Sequence, residues 1–438
     1  MPENEKRKLS TEPYKGVRDF YPEDMFVQNH IFAAMRNAAE SFGYVEYGAS
    51  VLEPTELYEA KTGEEIVGEQ TYTFMDRGER SVTLRPEMTP TVSRMVAGRR
   101  KELAFPLRWY SIPNLFRYER PQRGRVREHW QLNCDLFGVT GSNADTEIIA
   151  LASHIMHECG AGDELFEIRI NHRNLLDTLF RDVLELSAQD THRLSKLIDR
   201  KDKISAAEFE DEAQAIMGSK SESLVRVLSA NDLDTFLSIS GETKNCTGAQ
   251  ELTEALKSLR AQGIENVVFS PTLVRGFDYY TGIVFEVFDR SPENNRSLFG
   301  GGRYDGLVDL FGVESVAAVG FGMGDVTMRD FLTTHNLLPS YTSTTDLYLA
   351  TVTPENIPAA QELAQFLRSK GLSVALNLVD KKIGDQIKAA DKQGVAFVIV
   401  VGDEEVTSGI FKLKHLGTGE EKTIPRDEIA DAIFSFIG

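Results

Sequence analysis

Cysteine is scarce in this chain. Only Cys134, Cys159 and Cys246 occur, and their spacing matches neither a metal centre nor a redox pair, which suits a reducing, cytoplasmic location. Long apolar runs are absent. No stretch approaches eighteen consecutive apolar residues, so no membrane-spanning helix and no membrane association are expected. The opening Met1-Pro2-Glu3-Asn4-Glu5-Lys6-Arg7-Lys8 has no apolar core behind it and does not read as a secretory signal. Positive charge is in deficit: 48 Lys and Arg stand against 67 Asp and Glu, a formal net charge of -19. That balance argues against non-specific nucleic-acid binding but leaves room for a specific RNA met by a local basic patch. What remains is a soluble globular chain of 438 residues, 41% hydrophobic, long enough for two or three domains.

Against this acidic background, five arginines fall between Arg117 and Arg127, in Phe116-Arg117-Tyr118-Glu119-Arg120-Pro121-Gln122-Arg123-Gly124-Arg125-Val126-Arg127-Glu128-His129-Trp130. Like charges at this density repel, so an anionic guest is expected among them; the plainer alternative is a solvated arginine-rich loop. The flanks alternate as strands do. Phe116, Tyr118 and Arg120 share one face and Arg117 and Glu119 the other; Pro121–Gly124 is turn chemistry, and a second strand from about Glu128 carries Gln131, Asn133 and Asp135 on one face. A polyphosphate fits such a hairpin, because planar guanidinium groups grip phosphate oxygens bidentately.

Around the hairpin the chain changes character several times. A loop from Tyr14 leads into an amphipathic helix ending near Met35, and strand-like runs follow at about 44–52, 71–76 and 81–84. Pro86 sits where a helix could open. Another helix is expected from near Asp145 to Glu158; it carries His154 and His157, whose spacing permits a metal but offers no fourth ligand. From about Asn174 to Gly263 leucines recur at helical spacing without strand signals, which predicts an all-helical insertion. Strand-like and glycine-rich sequence resumes at Val267 and runs to Gly324, and Pro339–Thr345 reads as a linker. Beyond it, strands at 347–350, 374–376 and 395–401 alternate with helices at 354–370 and 383–391, predicting a separate α/β domain with 10 Lys and Arg against 14 Asp and Glu over residues 346–438.

Five segments carry candidate chemistry. Thr83-Leu84-Arg85-Pro86-Glu87-Met88-Thr89-Pro90 places Glu87 in a predicted first helical turn, where it also reads as a carboxylate offsetting the helix end. The arginine hairpin is the second, and its polar strand face must point at a partner. Leu273-Val274-Arg275-Gly276-Phe277-Asp278-Tyr279-Tyr280 is the third; it also reads as an aromatic core strand after a turn. The fourth, Phe299-Gly300-Gly301-Gly302-Arg303-Tyr304-Asp305, allows close backbone approach to a ligand but lacks the ending of a nucleotide P-loop. The fifth, Ala318-Val319-Gly320-Phe321-Gly322-Met323-Gly324-Asp325, reads as a strand, an Asp N-cap and a helix.

Together the five segments resemble histidyl-tRNA synthetase, a class II aminoacyl-tRNA synthetase family, from about Lys15 to the C-terminus. Phe116-Arg117-Tyr118-Glu119 resembles the class II signature hairpin, and Leu273–Tyr280 the histidine-binding segment of this family. The resemblance implies an α+β fold: an antiparallel sheet flanked by helices (1–173 and 263–338), a helical insertion domain (174–262) and a C-terminal α/β anticodon-binding domain (346–438). It implies a homodimer acting on histidine, ATP with Mg2+, and tRNA(His). Histidine and ATP give histidyl-adenylate and pyrophosphate, and the histidyl group then passes to the 3' end of the tRNA.

By this resemblance Arg117 holds the α-phosphate, Glu119 accepts from the adenine amino group and Arg125 meets the distal phosphates. Arg275 sits near the reacting carboxylate and α-phosphate. Glu87, Thr89 and Gln131 hold the substrate's amino group; Asp135 and Tyr280 bond the two imidazole nitrogens, with Tyr279 beside them. No protein metal ligand is implied. The chain departs from the family pattern at Asp135, where many members have Glu, at Met88, where Gly is common, and at Ser50, where the dimer-forming motif has Pro. Thr327 replaces an arginine, and Arg120, Arg123, Arg125 and Arg127 are the candidate replacements for its charge; Arg329, about 200° around the helix, should face away. The rival reading is a catalytically inactive, synthetase-like regulatory subunit of histidine biosynthesis. The intact Arg275–Tyr280 segment and residues 346–438 weigh against it, and Thr327 for it.

Overall fold

A computed structural model describes residues 9–59, 70–201, 204–274, 279–294 and 296–437. Between Leu338 and Pro339 the chain divides into two compact units.

The first unit is organised by β7 (Glu128–Phe137), whose second half is fully buried. It lies between β5 (Leu107–Ser111) and β12 (Ala318–Gly324), both antiparallel to it. The sheet continues through β11 (Ser297–Arg303), β10 (Ile283–Asp289) and β8 (Phe166–His172) to β9 (Val267–Phe269), while β1 (Val45–Glu46) flanks β5 and β6 (Asn114–Phe116) pairs with the start of β7. Of these pairings only the outermost, β1 with β5 and β8 with β9, are parallel. The expected antiparallel sheet is therefore mixed at its margins. A separate three-stranded sheet joins β2 (Leu52–Pro54), β4 (Ser81–Leu84) and β3 (Tyr72–Met75).

Alternation makes one sheet face apolar. In β8, Phe166, Ile168 and Ile170 are buried, and they share one core cluster with Ile148, Leu151 and Ile155 of the Ser142–Glu158 helix and with Ile31 and Met35 of the Pro22–Ser41 helix. Among the described residues from Arg173 to Ala261 every regular element is helical. Ser187, Ser205 and Asp232 cap three of these helices, their side chains accepting from Asp190, Glu208 and Thr235 amides. Leu194, Phe209, Leu252 and Leu259 from these helices join the same cluster as the sheet, and the Phe236 ring meets Phe269 of β9 edge-on at 5.2 Å.

Three local expectations shift. The helix expected from Pro86 runs Thr89–Gly98, because Pro90 occupies the first-turn position that needs no donor. Glu87 therefore precedes the helix rather than offsetting its end. The helix expected from Asp145 begins at Ser142. Asp325 is the first residue of the Asp325–Thr334 helix and not its cap; its carboxylate accepts from the Trp130 amide, Arg18 and Gln28.

The second unit holds a five-stranded sheet. Its β14 (Val374–Leu376), β13 (Leu347–Thr351) and β15 (Phe397–Val401) are parallel, followed by antiparallel β16 (Ile410–His415) and β17 (Glu421–Pro425). Leu363 and Leu367 of the Ile357–Ser369 helix and Ile429 and Ile433 of the C-terminal helix pack on Leu347, Leu349 and Ile399.

Candidate active site

Segments distant in sequence meet at one cavity of about 140 Å³. Glu87 and Thr89 reach it from the loop and first turn around the Thr89–Gly98 helix, Arg117 from the end of β6, and Gln131 and Asn133 from β7. Tyr279 and Tyr280 line it from the segment before β10, Gly300 and Tyr304 from β11 and its end, and Gly320, Phe321 and Gly322 from β12. The sequence-derived Glu87, Thr89, Arg117, Gln131, Tyr279 and Tyr280 are thus brought together. Arg275 and Asp278 lie outside the described residues.

Hydrogen bonds hold the first two segments in register. Arg85 is buried and donates to Asn114 and to the Ala49 and Ser50 carbonyls, while the Phe116 amide donates to the Arg85 carbonyl. Arg117 Nε donates to the Pro86 carbonyl at 2.9 Å, which fixes its guanidinium beside Glu87. Glu87 is 3% exposed, and the Tyr279 hydroxyl donates to its Oε2 at 3.4 Å.

The polar face of β7 follows the expected period of two. Gln131 Nε2 donates to Asn133 Oδ1 at 2.7 Å, and Asn133 Nδ2 donates to the Gln131 backbone carbonyl at 3.0 Å; the Gln131 side-chain oxygen Oε1 is an acceptor of the kind an ammonium group needs. Asp135, next on that face, does not line the cavity. It lies behind it, 3% exposed, accepting from the Tyr304 hydroxyl at 2.5 Å through Oδ1. Among the described residues its Oδ2 has no hydrogen-bond partner. Burial pushes the Asp135 carboxyl from 3.8 up to about 7, with the Tyr304 bond pulling the other way. His129, on the same strand, is pushed down to about 3 by burial and by the nearby Arg117 and Arg18, so its imidazole is neutral.

Two glycines of β12 make room for these side chains. A Cβ on Gly320 would lie 2.4 Å from Asp135 Oδ1, and one on Gly322 would lie 2.4 Å from Gln131 Nε2. The need is set by the protein's own atoms, whereas the sequence had placed ligand approach at Gly300–Gly302; of that run only Gly300 lines the cavity. Tyr304 and Asn133 are among the lining residues to which sequence reasoning assigned no role, as are Gly320, Phe321 and Gly322. Tyr304 was visible only as part of a glycine-containing segment, and Asn133 only through its place on the polar face.

The arginines divide by surroundings. The strand expected through Arg120 stops at Phe116, and the hairpin closes by paired backbone bonds between Gln122 and Arg125, with Gly124 at φ 75°. Arg127 is buried, 4.0 Å from the Tyr118 ring, and donates to the Tyr14 hydroxyl and the Glu119 carbonyl, so it is no candidate for phosphates. Arg123 faces Asn294 and Asp330. Arg125 is more than half exposed, 3.7 Å from Glu119. Arg303 is buried against Asp145 and is structural. Thr327 donates to the Leu298 carbonyl and lies beside the hairpin turn, its Cγ2 4.0 Å from where a Gly124 Cβ would be. Arg329 pairs with Asp24 at 2.5 Å, away from the hairpin as expected.

His154 and His157 do not converge: His154 faces Glu158 and His157 faces the Ala161 carbonyl and Asp163. Among the described residues no group of three or more His, Cys, Asp or Glu side chains is placed to hold a metal ion, and no described helix is long and apolar enough to cross a membrane.

Known proteins resemble this chain over almost its whole length. The profile described as histidyl-tRNA synthetase matches residues 16–325, and that described as anticodon binding domain matches 346–435. A histidine–tRNA ligase of Leptospira biflexa is 43% identical, with 98% of each chain covered. One of Thermoplasma volcanium is 35% identical over 95% of this chain and 96% of its own. Among solved structures, histidyl-tRNA synthetase from Nostoc sp. has the same fold at TM-score 0.83 and 24% identity, covering 98% of this chain and 100% of that one. The apo enzyme of S. aureus superposes at TM-score 0.74 with 25% identity, covering 97% and 100%.

Proposed function

The chain belongs to the histidyl-tRNA synthetase family, and on that premise we propose how its residues divide the work of an ATP-dependent histidine–tRNA ligase. Two steps follow. The carboxylate of histidine attacks the α-phosphorus of ATP, pyrophosphate leaves, and histidyl-adenylate forms. The 3'-terminal ribose of the tRNA then takes the histidyl group and AMP leaves. Neither step needs a protein nucleophile. Both need alignment, and positive charge where negative charge develops.

The observation that carries this reading is the convergence of Glu87, Thr89, Arg117, Gln131, Tyr279 and Tyr280 on one cavity. Glu87, Thr89 and the Gln131 side-chain oxygen are the acceptors for the ammonium group. Arg117, anchored by the Pro86 carbonyl, meets the α-phosphate. Glu119 accepts from the adenine amino group and Arg125 meets the distal phosphates. Mg2+ arrives on the ATP phosphates as part of that substrate. For Arg275 the role implied by the family resemblance, a positive charge for the reacting carboxylate and α-phosphate, is kept in this proposal. Tyr280 faces the imidazole, with Asp135 behind.

The division into 1–173 and 263–338 for adenylation, 174–262 as insertion and 346–438 for the anticodon completes the proposal, with a cytoplasmic homodimer as the working form. Histidine-dependent exchange between pyrophosphate and ATP tests it. Exchange with histidine and none with other amino acids is expected; no exchange at all would favour the regulatory-subunit reading.

A further inference from the structure

Thr327, Asp330 and Thr334 share one face of the Asp325–Thr334 helix, because residues spaced by three and four fall on the same side. The turn of the arginine hairpin is carried along that face. Gly124, at φ 75°, lies by Thr327, whose Cγ2 is 4.0 Å from where a Gly124 Cβ would be. The Thr327 hydroxyl donates to the Leu298 carbonyl at 2.7 Å, which holds its methyl on the hairpin side. Arg123 Nε lies 3.7 Å from Asp330 Oδ2, and Arg123 Nη2 donates to Asn294 Oδ1 at 3.1 Å. Asn294 Nδ2 in turn donates to Thr334 Oγ1 at 3.1 Å and to Asp289 Oδ2 at 2.8 Å. This orientation of the amide is forced. A carboxylate only accepts and a guanidinium only donates, so the nitrogen faces Asp289 and the oxygen faces Arg123. The Asp289 side chain is fully buried and is held from its other oxygen by His335. An exposed ion pair is weak on its own. The hold on the turn therefore rests on the Asn294 bridge and on the fit of Gly124 beside Thr327.

We propose that Thr327 is the seat of the hairpin turn, and that Arg123 and Asn294 are positioning residues that hold the turn down and so set where Arg125 stands. The inference rests on the reading of Arg125 as the residue that meets the distal phosphates, and deepens it. Arg125 exchanges backbone hydrogen bonds with Gln122 across the same turn, so it moves with the turn. The threonine is then more than the loss of a charge: it is the room the turn needs. An arginine side chain leaving position 327 in the direction of the threonine methyl would run into the turn.

Two readouts on the full-length protein test it. One is pyrophosphate–ATP exchange. The other is the rate of trypsin cleavage after Arg123 and Arg125 without ATP, read by fragment mass, which follows the population of the opened turn. Thr327→Arg restores the family residue. It should raise KM for ATP about fivefold or more, leave KM for histidine within about twofold, and speed hairpin cleavage about fivefold or more. An ATP KM at or below that of the unmutated protein would show that an arginine fits beside the turn, and would overturn the proposal. Asn294 does not line the cavity, and Asn294→Ala should move hairpin cleavage and ATP KM in the same direction. Unchanged cleavage in that variant would overturn the proposal as well, and it decides alone should Thr327→Arg fail to fold. Arg123→Met and the double variant with Asn294→Ala complete a cycle. A single bridge makes the double variant no worse in ATP KM than the poorer single variant, and multiplying effects would overturn the bridge. Arg125→Ala keeps the two readings apart: an unchanged ATP KM there strikes the phosphate role of Arg125, while cleavage after Arg123 still reads the seat.

Discussion

Arg125 and Arg329 are both arginines near the replaced position at Thr327, yet their surroundings assign them different work. Arg329 is tied to Asp24, and Arg125 projects more than half exposed from the hairpin. Arg125→Ala should raise KM for ATP about tenfold, the scale of one charged hydrogen bond, while Arg329→Ala should leave it within about twofold. Equal or reversed effects in exchange kinetics would show that the distal phosphates are met elsewhere. Asp135 gives a second test at this scale. Its carboxyl titrates near 3.8 when unfolded and about 7 when folded. Between those values folding binds a proton, so this group makes stability fall as pH rises through the window and levels off above it. Asp135→Asn removes the slope. Urea unfolding at about pH 4.5 and about pH 8 should find the variant gaining on the wild type at the higher pH. A constant difference between them would place the carboxyl in a wetter site.

At the scale of elements, β12 acts as a spacer for the side chains of β7. Gly320→Ala would bring a methyl group to 2.4 Å from Asp135 Oδ1 and 2.6 Å from the Cys134 carbonyl oxygen, so the two strands must part. A cost of about 1–3 kcal/mol in urea unfolding is expected, together with a weakened KM for histidine. Loss of stability with unchanged histidine KM would separate β12 from substrate selection. The sequence made much of this legible. The polar period located one cavity wall at Gln131 and Asn133, with Asp135 behind it, and the arginine cluster located the hairpin. It did not reveal that Asp135 is turned toward Tyr304, because residues 169 apart in sequence give no periodic signal. Nor did composition distinguish Arg127 from Arg125; only the packing of Tyr14 and Tyr118 does that. The helix start is expected at Pro86 and found at Thr89, so Glu87 lies before the helix, because Pro86 and Pro90 both fit a first turn and local chemistry alone does not choose between them.

The whole molecule joins units of different make-up. Residues 339–438 carry their own apolar cluster around Leu347, Leu363, Ile399 and Ile433, whereas the helices between Arg173 and Ala261 share theirs with the catalytic sheet. A fragment of residues 1–338 should therefore keep histidine-dependent exchange and lose most tRNA charging, and 339–438 alone should unfold cooperatively in urea. Removal of 174–262 should instead yield insoluble protein, because it strips Leu252 and Leu259 from the shared core. Soluble protein with normal exchange after that deletion would show the core to be separable.

The distribution of tryptophan turns this architecture into a built-in optical probe. The chain has two indoles, and neither is in the second unit. Trp109 pairs across the sheet with Asp135 and lies 5.7 Å from the Tyr47 ring. Trp130 precedes Gln131 in the chain, its ring edge-on to Phe20 at 5.4 Å. Indole emission from the unlabelled protein therefore reports on the catalytic sheet alone. Titration with histidine or ATP can be followed there without any signal from the anticodon-binding unit.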